Sequence, residues 1–160
     1  MNSDPDSLCR SIMSIPPAVL DPDDSLRLAL ETMVSHRVPA LPIAEHDGRY
    51  VGMLPRSRLI ALAMPRALRC EDAQHPLAHI QGGFIQDTLQ TLQERIDAVA
   101  ADAVRLHVDP EAPVVGPDDT LMEAIRYLHR ERTVLPVVDG GRLLGVVSVW
   151  DVLARLGRLK

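Results

Sequence analysis

Hydrophobic residues along the chain follow one pattern of elements twice, once in each half. After positions 25 and 120, apolar residues recur every three or four positions, which predicts an amphipathic helix in each half. Two uninterrupted apolar runs follow each helix, and their length and flanking turns predict buried strands. The predicted strands cover 41–44, 50–54, 135–138 and 143–148.

Turns and short apolar segments complete each half. Glycine-containing turns at 46–48 and 139–141 indicate that each pair of strands forms a hairpin. A short apolar pair at 19–20 and another at 114–115 predict one leading strand in each half. A second helix closes each half, at about 57–63 and about 150–156. Each half therefore reads as a β-α-β-β-α unit, and the chain as an α/β (α+β) protein.

The two halves also match at polar positions, which identifies an internal repeat. Pro-Asp-Asp-Ser-Leu at 22–26 returns as Pro-Asp-Asp-Thr-Leu at 117–121, and Ser25 and Thr120 stand where helix N-caps belong. One such unit has a single apolar face and too little core to fold alone. Two units bury those faces against each other across a pseudo-twofold axis, and this packing leaves clefts between the repeats.

A long segment at 65–104 separates the repeats and carries its own helical pattern. Apolar residues at 85, 89, 92, 96 and 99 step by four and three positions, which predicts an amphipathic helix over about 84–102. The opposite face carries three glutamines, Glu94 and Asp97, and it lacks the basic residues of a membrane-surface helix. This inserted helix packs either on its own module or on a second copy or partner, and the sequence leaves both alternatives open.

Composition and charge exclude several classes of function. A net charge of −5 and only one Trp, two Tyr and one Phe argue against a nucleic-acid groove. No apolar run is long enough for a membrane span, and the polar N-terminus does not read as a signal peptide. Cys9 and Cys70 lack redox or metal spacing, and Pro76 interrupts the pair His75 and His79, so we expect reduced thiols, no metal site and a cytoplasmic location.

The order of these motifs, doubled, resembles the CBS-domain family, named after cystathionine β-synthase. The resemblance covers a first repeat at 10–64 and a second at 105–158, each with a lead-in, the acidic turn, Leu-Pro-Val or Leu-Pro-Ile, and a closing Gly with two apolar residues. It implies a paired module that binds adenosyl compounds such as AMP, ADP, ATP or S-adenosylmethionine between its repeats. It also implies a homodimer that reports ligand state to a separate partner protein and performs no chemistry itself.

The resemblance places the ligand site at the segment after the last strand of a repeat. There the family carries Ser or Thr, two further residues and Asp, and the second repeat matches with Ser148 and Asp151. The carboxylate would accept hydrogen bonds from both ribose hydroxyls. The first repeat has Pro55 and Arg58 instead, so we expect that cleft to be empty, degenerate, or filled by an anion through Arg56 or Arg58. The alternative for Ser148 and Asp151 is a helix cap without a ligand.

Further candidates surround this pair. The resemblance gives Arg132, and less so Arg37, a role at a phosphate, against the alternative of a solvated arginine at a helix C-terminus. Val115, Pro136 and Val137 would line an adenine pocket, although the same residues would suit a plain core. Trp150 would shield a nucleotide or, alternatively, pack in a dimer interface.

No constellation of catalytic residues stands out, so the sequence predicts a binding module and no enzyme. The prediction is a regulatory module that binds an adenosyl nucleotide in one inter-repeat cleft and signals to a separate protein. The alternative is a ligand-independent dimeric scaffold that recruits its partner through the inserted helix.

Overall fold

The computed structural model of the chain describes residues 5–65, 87–130 and 134–157, and it shows a mixed α/β fold. The first repeat holds helix α1 (Leu26–His36), strands β1 (Ala40–Ala44) and β2 (Tyr50–Pro55), and helix α2 (Arg56–Ala63). Helix α3 (Leu89–Asp97) follows in the insertion. The second repeat holds α4 (Leu121–His129), β3 (Val134–Asp139), β4 (Arg142–Ser148) and α5 (Val149–Gly157). The predicted fold class is confirmed.

Local capping explains where the first helix of each repeat begins. The side-chain oxygen of Ser25 accepts a hydrogen bond from the backbone N–H of Leu28 at 3.2 Å. That of Thr120 accepts from the N–H of Glu123 at 3.3 Å. Each bond satisfies one of the N–H groups that a helix start leaves without an intrahelical partner. The N-caps predicted from the sequence therefore set these two helix starts.

The strands of each repeat form one antiparallel hairpin. β1 pairs with β2 and β3 pairs with β4, and each register shifts once near the turn. The turn glycines Gly48 and Gly141 have φ of 87° and 81°, the left-handed region that glycine enters without steric cost. The predicted hairpins therefore form where the glycine turns indicated.

The predicted leading strands are shorter than expected. Leu20 forms a single parallel bridge to Ile43, and Val115 forms one to Val137. An acidic turn directly follows the bridging residue in each repeat. In the first repeat the carboxylate of Asp24 accepts a hydrogen bond from the backbone N–H of Asp21 at 2.8 Å. In the second repeat Asp119 accepts from the N–H of Gly116 at 2.7 Å. The short leading strands are a consequence of these turns.

Each repeat completes its core with a segment from outside that repeat. Residues 5–14, here the N-terminal strap, run along the second repeat, where Cys9 is fully buried in the core. Residues 98–109, here the linker strap, run along the first repeat, where Val104 is fully buried. The exchange is reciprocal, as a twofold relation between the repeats predicts. The two repeats are thereby held together by the chain segments that precede them.

The inserted helix packs on its own module and is shorter than predicted. Ile96 and Val99 pack against the first-repeat core, and the Arg95 guanidinium donates to the Ala63 carbonyl at 3.0 Å. Beyond Asp97 the backbone N–H groups of Val99 and Ala100 bond to carbonyls three residues back, so the α-helical pattern is not continued. Two later carbonyls bond to the start of α1. Those of Ala100 and Asp102 accept the backbone N–H groups of Arg27 and Leu26, both at 2.9 Å. Residues 84–86 of the predicted helix lie outside the described residues.

None of the described helices combines the length and the apolar character needed to cross a membrane. Arg132, Cys70, His75 and His79 also lie outside the described residues, so the expectations for them stay predictions.

Candidate functional site

A cleft of about 510 Å³ lies between the two repeats, within the range typical of small-molecule sites. One wall is the chain segment 14–18 with the loop after α1 and the first residue of α2, Arg56. The opposite wall is the end of β4 and the start of α5, including Ser148 and Trp150. The apolar lining of the first wall comes from Pro16, Pro17, Ala18, Val38, Pro39, Ala40 and Pro42. The cleft therefore joins both repeats around a largely apolar interior.

Ser148 and Asp151 form a reciprocal cap at the start of α5. The backbone N–H and the hydroxyl of Ser148 donate to Oδ2 of Asp151 at 2.7 and 2.5 Å. In return, the backbone N–H of Asp151 donates to the Ser148 hydroxyl at 3.2 Å. This arrangement is a capping box, and it fixes the carboxylate at the helix N-terminus. The capping alternative is therefore part of the structure, and it leaves the ligand alternative open.

Ser14 of the N-terminal strap also contacts this carboxylate. Its hydroxyl donates to Oδ2 of Asp151 at 3.3 Å, so a single oxygen takes three donors. Within the described part of the chain, Oδ1 of Asp151 accepts no hydrogen bond. An ionised carboxylate offers about four acceptor positions, so Asp151 keeps capacity for a further donor. Ser14 and Ser148 line the cleft, and Asp151 lies beside them.

Two arginines give the cleft a positive end. Arg37 and Arg56 both line it, and neither forms an ion pair within the described ranges. Arg37 has φ of 51° and ψ of 38° at the C-terminal end of α1, a left-handed conformation that disfavours side chains with a Cβ atom. Among the described residues it is the one non-glycine with positive φ. Uncommon backbone conformations concentrate at functional sites, which makes Arg37 a stronger candidate than its sequence position indicated.

Val115, Pro136 and Val137, which were expected to line an adenine pocket, are not among the residues that line this cleft. All three side chains are fully buried inside the second repeat, where Val115 and Val137 form core contacts. The second-repeat helix start faces the first repeat across the cleft. For that reason the wall opposite Ser148 comes from the first-repeat counterparts, among them Pro42.

The counterpart segment of the first repeat lacks a capping side chain. Pro55 is the N-cap residue of α2 and makes no side-chain cap hydrogen bond. Arg58 occupies the position in α2 that Asp151 occupies in α5, within the first turn of the helix. Arg56, considered for an anion in the first-repeat cleft, instead lines the cleft that contains Ser148. The difference between the repeats at Pro55 and Arg58 is visible in the sequence. That Arg56 lines the cleft with Ser148 is visible only in the packing.

Trp150 lies at the cleft with 79% of its surface exposed. It is the one tryptophan of the chain, so its fluorescence reports events in the cleft without interference from another indole. Ser14 was not predicted as a site residue. The signal available for it was its position at the end of the lead-in, immediately after Ile12 and Met13.

Comparisons with known proteins agree on the family and the fold. The family model of the CBS domain matches residues 9–64 and again residues 103–158. A comparison with curated protein sequences gives no match.

Three solved structures illustrate the likeness in fold. CBSX2 from Arabidopsis thaliana, a CBS-pair protein, is 24% identical with a TM-score of 0.73, covering 96% of each chain. CBSX2 in complex with AMP is 23% identical with a TM-score of 0.68, covering 96% of this chain and 98% of that one. A CBS domain-containing protein of unknown function from Kribbella flavida is 22% identical with a TM-score of 0.66, covering 94% and 99%. At these identities the likeness concerns the fold.

Proposed function

Because the chain belongs to the CBS-domain family, we propose that it is a regulatory module that binds an adenine nucleotide in the cleft beside Ser148 and signals to a separate partner protein. One observation carries the proposal. The cleft brings the Ser148–Asp151 cap opposite two arginines that form no ion pair in the described part of the chain. The complex of CBSX2 with AMP supports the same ligand class.

The lining of the cleft suits the base, the ribose and the phosphate of a nucleotide. Its apolar wall suits the adenine ring, and the Asp151 carboxylate has acceptor capacity for ribose hydroxyls. The helix N-terminus at Ser148 together with Arg37 and Arg56 suits a phosphate, because backbone N–H groups and guanidinium groups both bind phosphate oxygens. Each part of the ligand therefore meets a wall of matching chemistry.

The positive end of the cleft favours AMP, ADP or ATP over S-adenosylmethionine. A phosphate is an anion, whereas S-adenosylmethionine places a sulfonium cation on the corresponding carbon of the ribose. Two guanidinium groups attract the first and repel the second, and the apolar walls limit solvent screening. We therefore rank nucleoside phosphates first among the four ligands.

Thermal unfolding of the purified chain tests the proposal. A ligand present at 100 times its dissociation constant adds about 2.7 kcal/mol to the free energy of unfolding. For a chain of this size, that addition raises the Tm by roughly 5 to 11 °C. We expect this shift with AMP, ADP or ATP, and a smaller one with S-adenosylmethionine. GTP serves as the control, and no shift with any adenosyl compound at millimolar concentration would contradict the proposal.

Replacing Arg37 with glycine is expected to separate stability from binding. Glycine adopts the left-handed conformation without the Cβ penalty, so Arg37→Gly should raise the free energy of unfolding by about 0.5–1 kcal/mol. The same change removes a guanidinium from the cleft and should weaken AMP binding about tenfold or more. Adenosine, which lacks the phosphate, should bind both proteins equally in a Trp150 fluorescence titration. Equal loss of AMP and adenosine binding would argue against a phosphate role.

We also propose that the chain forms a homodimer through an exposed apolar face. The large exposed hydrophobic residues on the four repeat helices are Leu28, Leu30, Val34, Ile60, Met122, Val149, Trp150, Leu153 and Leu156. Leu30 and Ile60 correspond by repeat to Ile125 and Leu153, so the face continues from one repeat to the other. Ile125, Val149 and Leu153 line one depression on the surface of the second repeat. Exposed apolar surface of this kind is typical of interaction sites, and a second copy presents a matching twofold face.

The alternative of recruitment through the inserted helix has weaker support. Its apolar residues Ile96 and Val99 are turned to the first repeat, which leaves Leu89 as the exposed large hydrophobic residue of α3. One exposed apolar residue is ordinary for a surface helix.

A further inference from the structure

The N-terminal strap is anchored to the second repeat by its backbone and by one buried side chain. The backbone N–H groups of Cys9 and Arg10 donate to the carbonyls of Asp119 and Pro117, both at 2.9 Å. The Cys9 side chain is fully buried among residues of the second-repeat core. Two ion pairs add to this anchor, Arg10 with Asp118 and Arg155 with Asp6. The Arg10 pair is exposed on both sides and the Asp6 carboxylate is exposed too, so these pairs stabilise the docked strap only weakly.

The last residue of the strap reaches the cleft. Ser14 exchanges two backbone hydrogen bonds with Val146, each at 2.9 Å, and its hydroxyl donates to Asp151 at 3.3 Å. Its carbonyl lies so close to β4 that a Cβ atom on Gly145 would come within 2.8 Å. The chain from Ser14 to Ala18 then forms one wall of the cleft. A ligand in the cleft therefore contacts the strap and the second repeat at once.

We propose that the N-terminal strap reads out occupancy of the cleft, with Ser14 as the positioning residue that joins it to Asp151. This inference rests on the proposed function. A ligand that needs the wall at 14–18 and the Asp151 carboxylate binds only while the strap is docked. By mass action, a ligand at concentration L then lowers the equilibrium constant for strap opening by the factor 1 + L/Kd. Docking and release of residues 5–14 are thereby the signal that a partner protein would sense.

Cys9 provides a measure of strap opening. Burial, together with the nearby Asp119 and Glu123 carboxylates, raises the pKa of its thiol to about 11. A thiol that is buried and protonated reacts slowly with maleimides, because the thiolate is the nucleophile and needs access. Labelling of Cys9 by N-ethylmaleimide therefore requires the strap to leave the second repeat.

The experiment measures the labelling rate of Cys9 in a Cys70→Ser protein, with and without AMP. At 100 times the dissociation constant of AMP, read from Trp150 fluorescence, the rate should fall at least tenfold and up to about 100-fold. An unchanged rate at saturating AMP would overturn the readout role and leave the proposed function standing. If neither AMP nor ATP alters the Trp150 fluorescence or the Tm, the proposed function fails and the readout role fails with it.

A matched control separates strap docking from general stabilisation. Val104 is equally buried, but it lies in the linker strap, which packs on the first repeat. No residue of the linker strap lines the cleft. In a Cys9→Ser, Cys70→Ser, Val104→Cys protein, AMP should slow labelling less than twofold. Equal slowing at positions 9 and 104 would mean that AMP only stabilises the whole fold, and would overturn the proposal.

A second pair of variants tests the strap without a ligand. In Gly145→Ala the new Cβ would press on the Ser14 carbonyl, so Cys9 labelling should rise at least tenfold and AMP affinity should fall. Gly52 makes the equivalent approach to the linker strap, where a Cβ would come within 2.9 Å of the Asp109 carbonyl. Gly52→Ala should leave Cys9 labelling within twofold of the parent, with circular dichroism confirming that both variants fold. A similar rise in both would contradict a local role for the N-terminal strap.

Discussion

Replacing Asp151 with alanine is expected to weaken AMP binding by at least about 100-fold while the protein stays folded. Hydrogen bonds to a charged group contribute about 1.5–3 kcal/mol each, and two ribose hydroxyls would lose their shared acceptor. The variant also loses the reciprocal cap with Ser148, which costs about 1 kcal/mol of stability. AMP titrations followed by Trp150 fluorescence measure the first effect, and thermal unfolding measures the second.

Two further variants make this result specific. Asp151→Asn keeps an acceptor for the Ser148 N–H but loses the charge, so it should retain most of the stability and bind AMP with intermediate affinity. Glu94→Ala removes an exposed carboxylate from α3 that does not line the cleft, and it should leave both quantities unchanged. If Asp151→Ala binds AMP as tightly as the parent protein, Asp151 is a helix cap alone.

Replacing Leu153 with glutamate is expected to raise the dissociation constant of the homodimer by at least about 100-fold. Leu153 is half-exposed on α5, between Val149 and Leu156 on the same side of the helix. A carboxylate there would have to be buried without a partner in the interface, and an unpaired buried charge costs several kcal/mol. Sedimentation equilibrium measures the dissociation constant directly.

Leu89→Glu is the matched control for the dimer. Leu89 is 71% exposed, but it lies on α3 and outside the apolar face of the repeat helices. The same change in charge there should leave the dissociation constant within about twofold of the parent value. A dimer that resists Leu153→Glu would place the interface elsewhere, and a parent protein that is monomeric at micromolar concentration would contradict the homodimer itself.

The helices and hairpins of both repeats could be predicted from the sequence, because the signals for them are local. Apolar spacing, N-caps such as Ser25 and Thr120, and glycine turns act over a few residues, so they indicate helices and hairpins without knowledge of the packing. The repeat itself also identified the family. The resemblance to that family singled out Ser148 and Asp151, and their alternative role as a helix cap could be predicted because a cap lies within one turn of helix.

Which residues share a cleft depends on how the two repeats pack. Ser14, Arg37 and Arg56 come from three separate segments, and they meet Ser148 because the repeats pack face to face. No local signal distinguishes a residue that lines that cleft from one that fills the core. Val115 and Val137 therefore looked like candidates for the lining, although they are fully buried.

The tertiary structure also decided how the segments before each repeat are used. The segment after the inserted helix caps the start of α1, because the carbonyls of Ala100 and Asp102 accept N–H groups from Arg27 and Leu26, more than seventy positions away in the chain. The N-terminal strap, likewise, completes the second repeat and not the one that follows it. Such exchanges depend on which exposed backbone groups and apolar surfaces meet after folding, so they carry no pattern that the sequence alone could display.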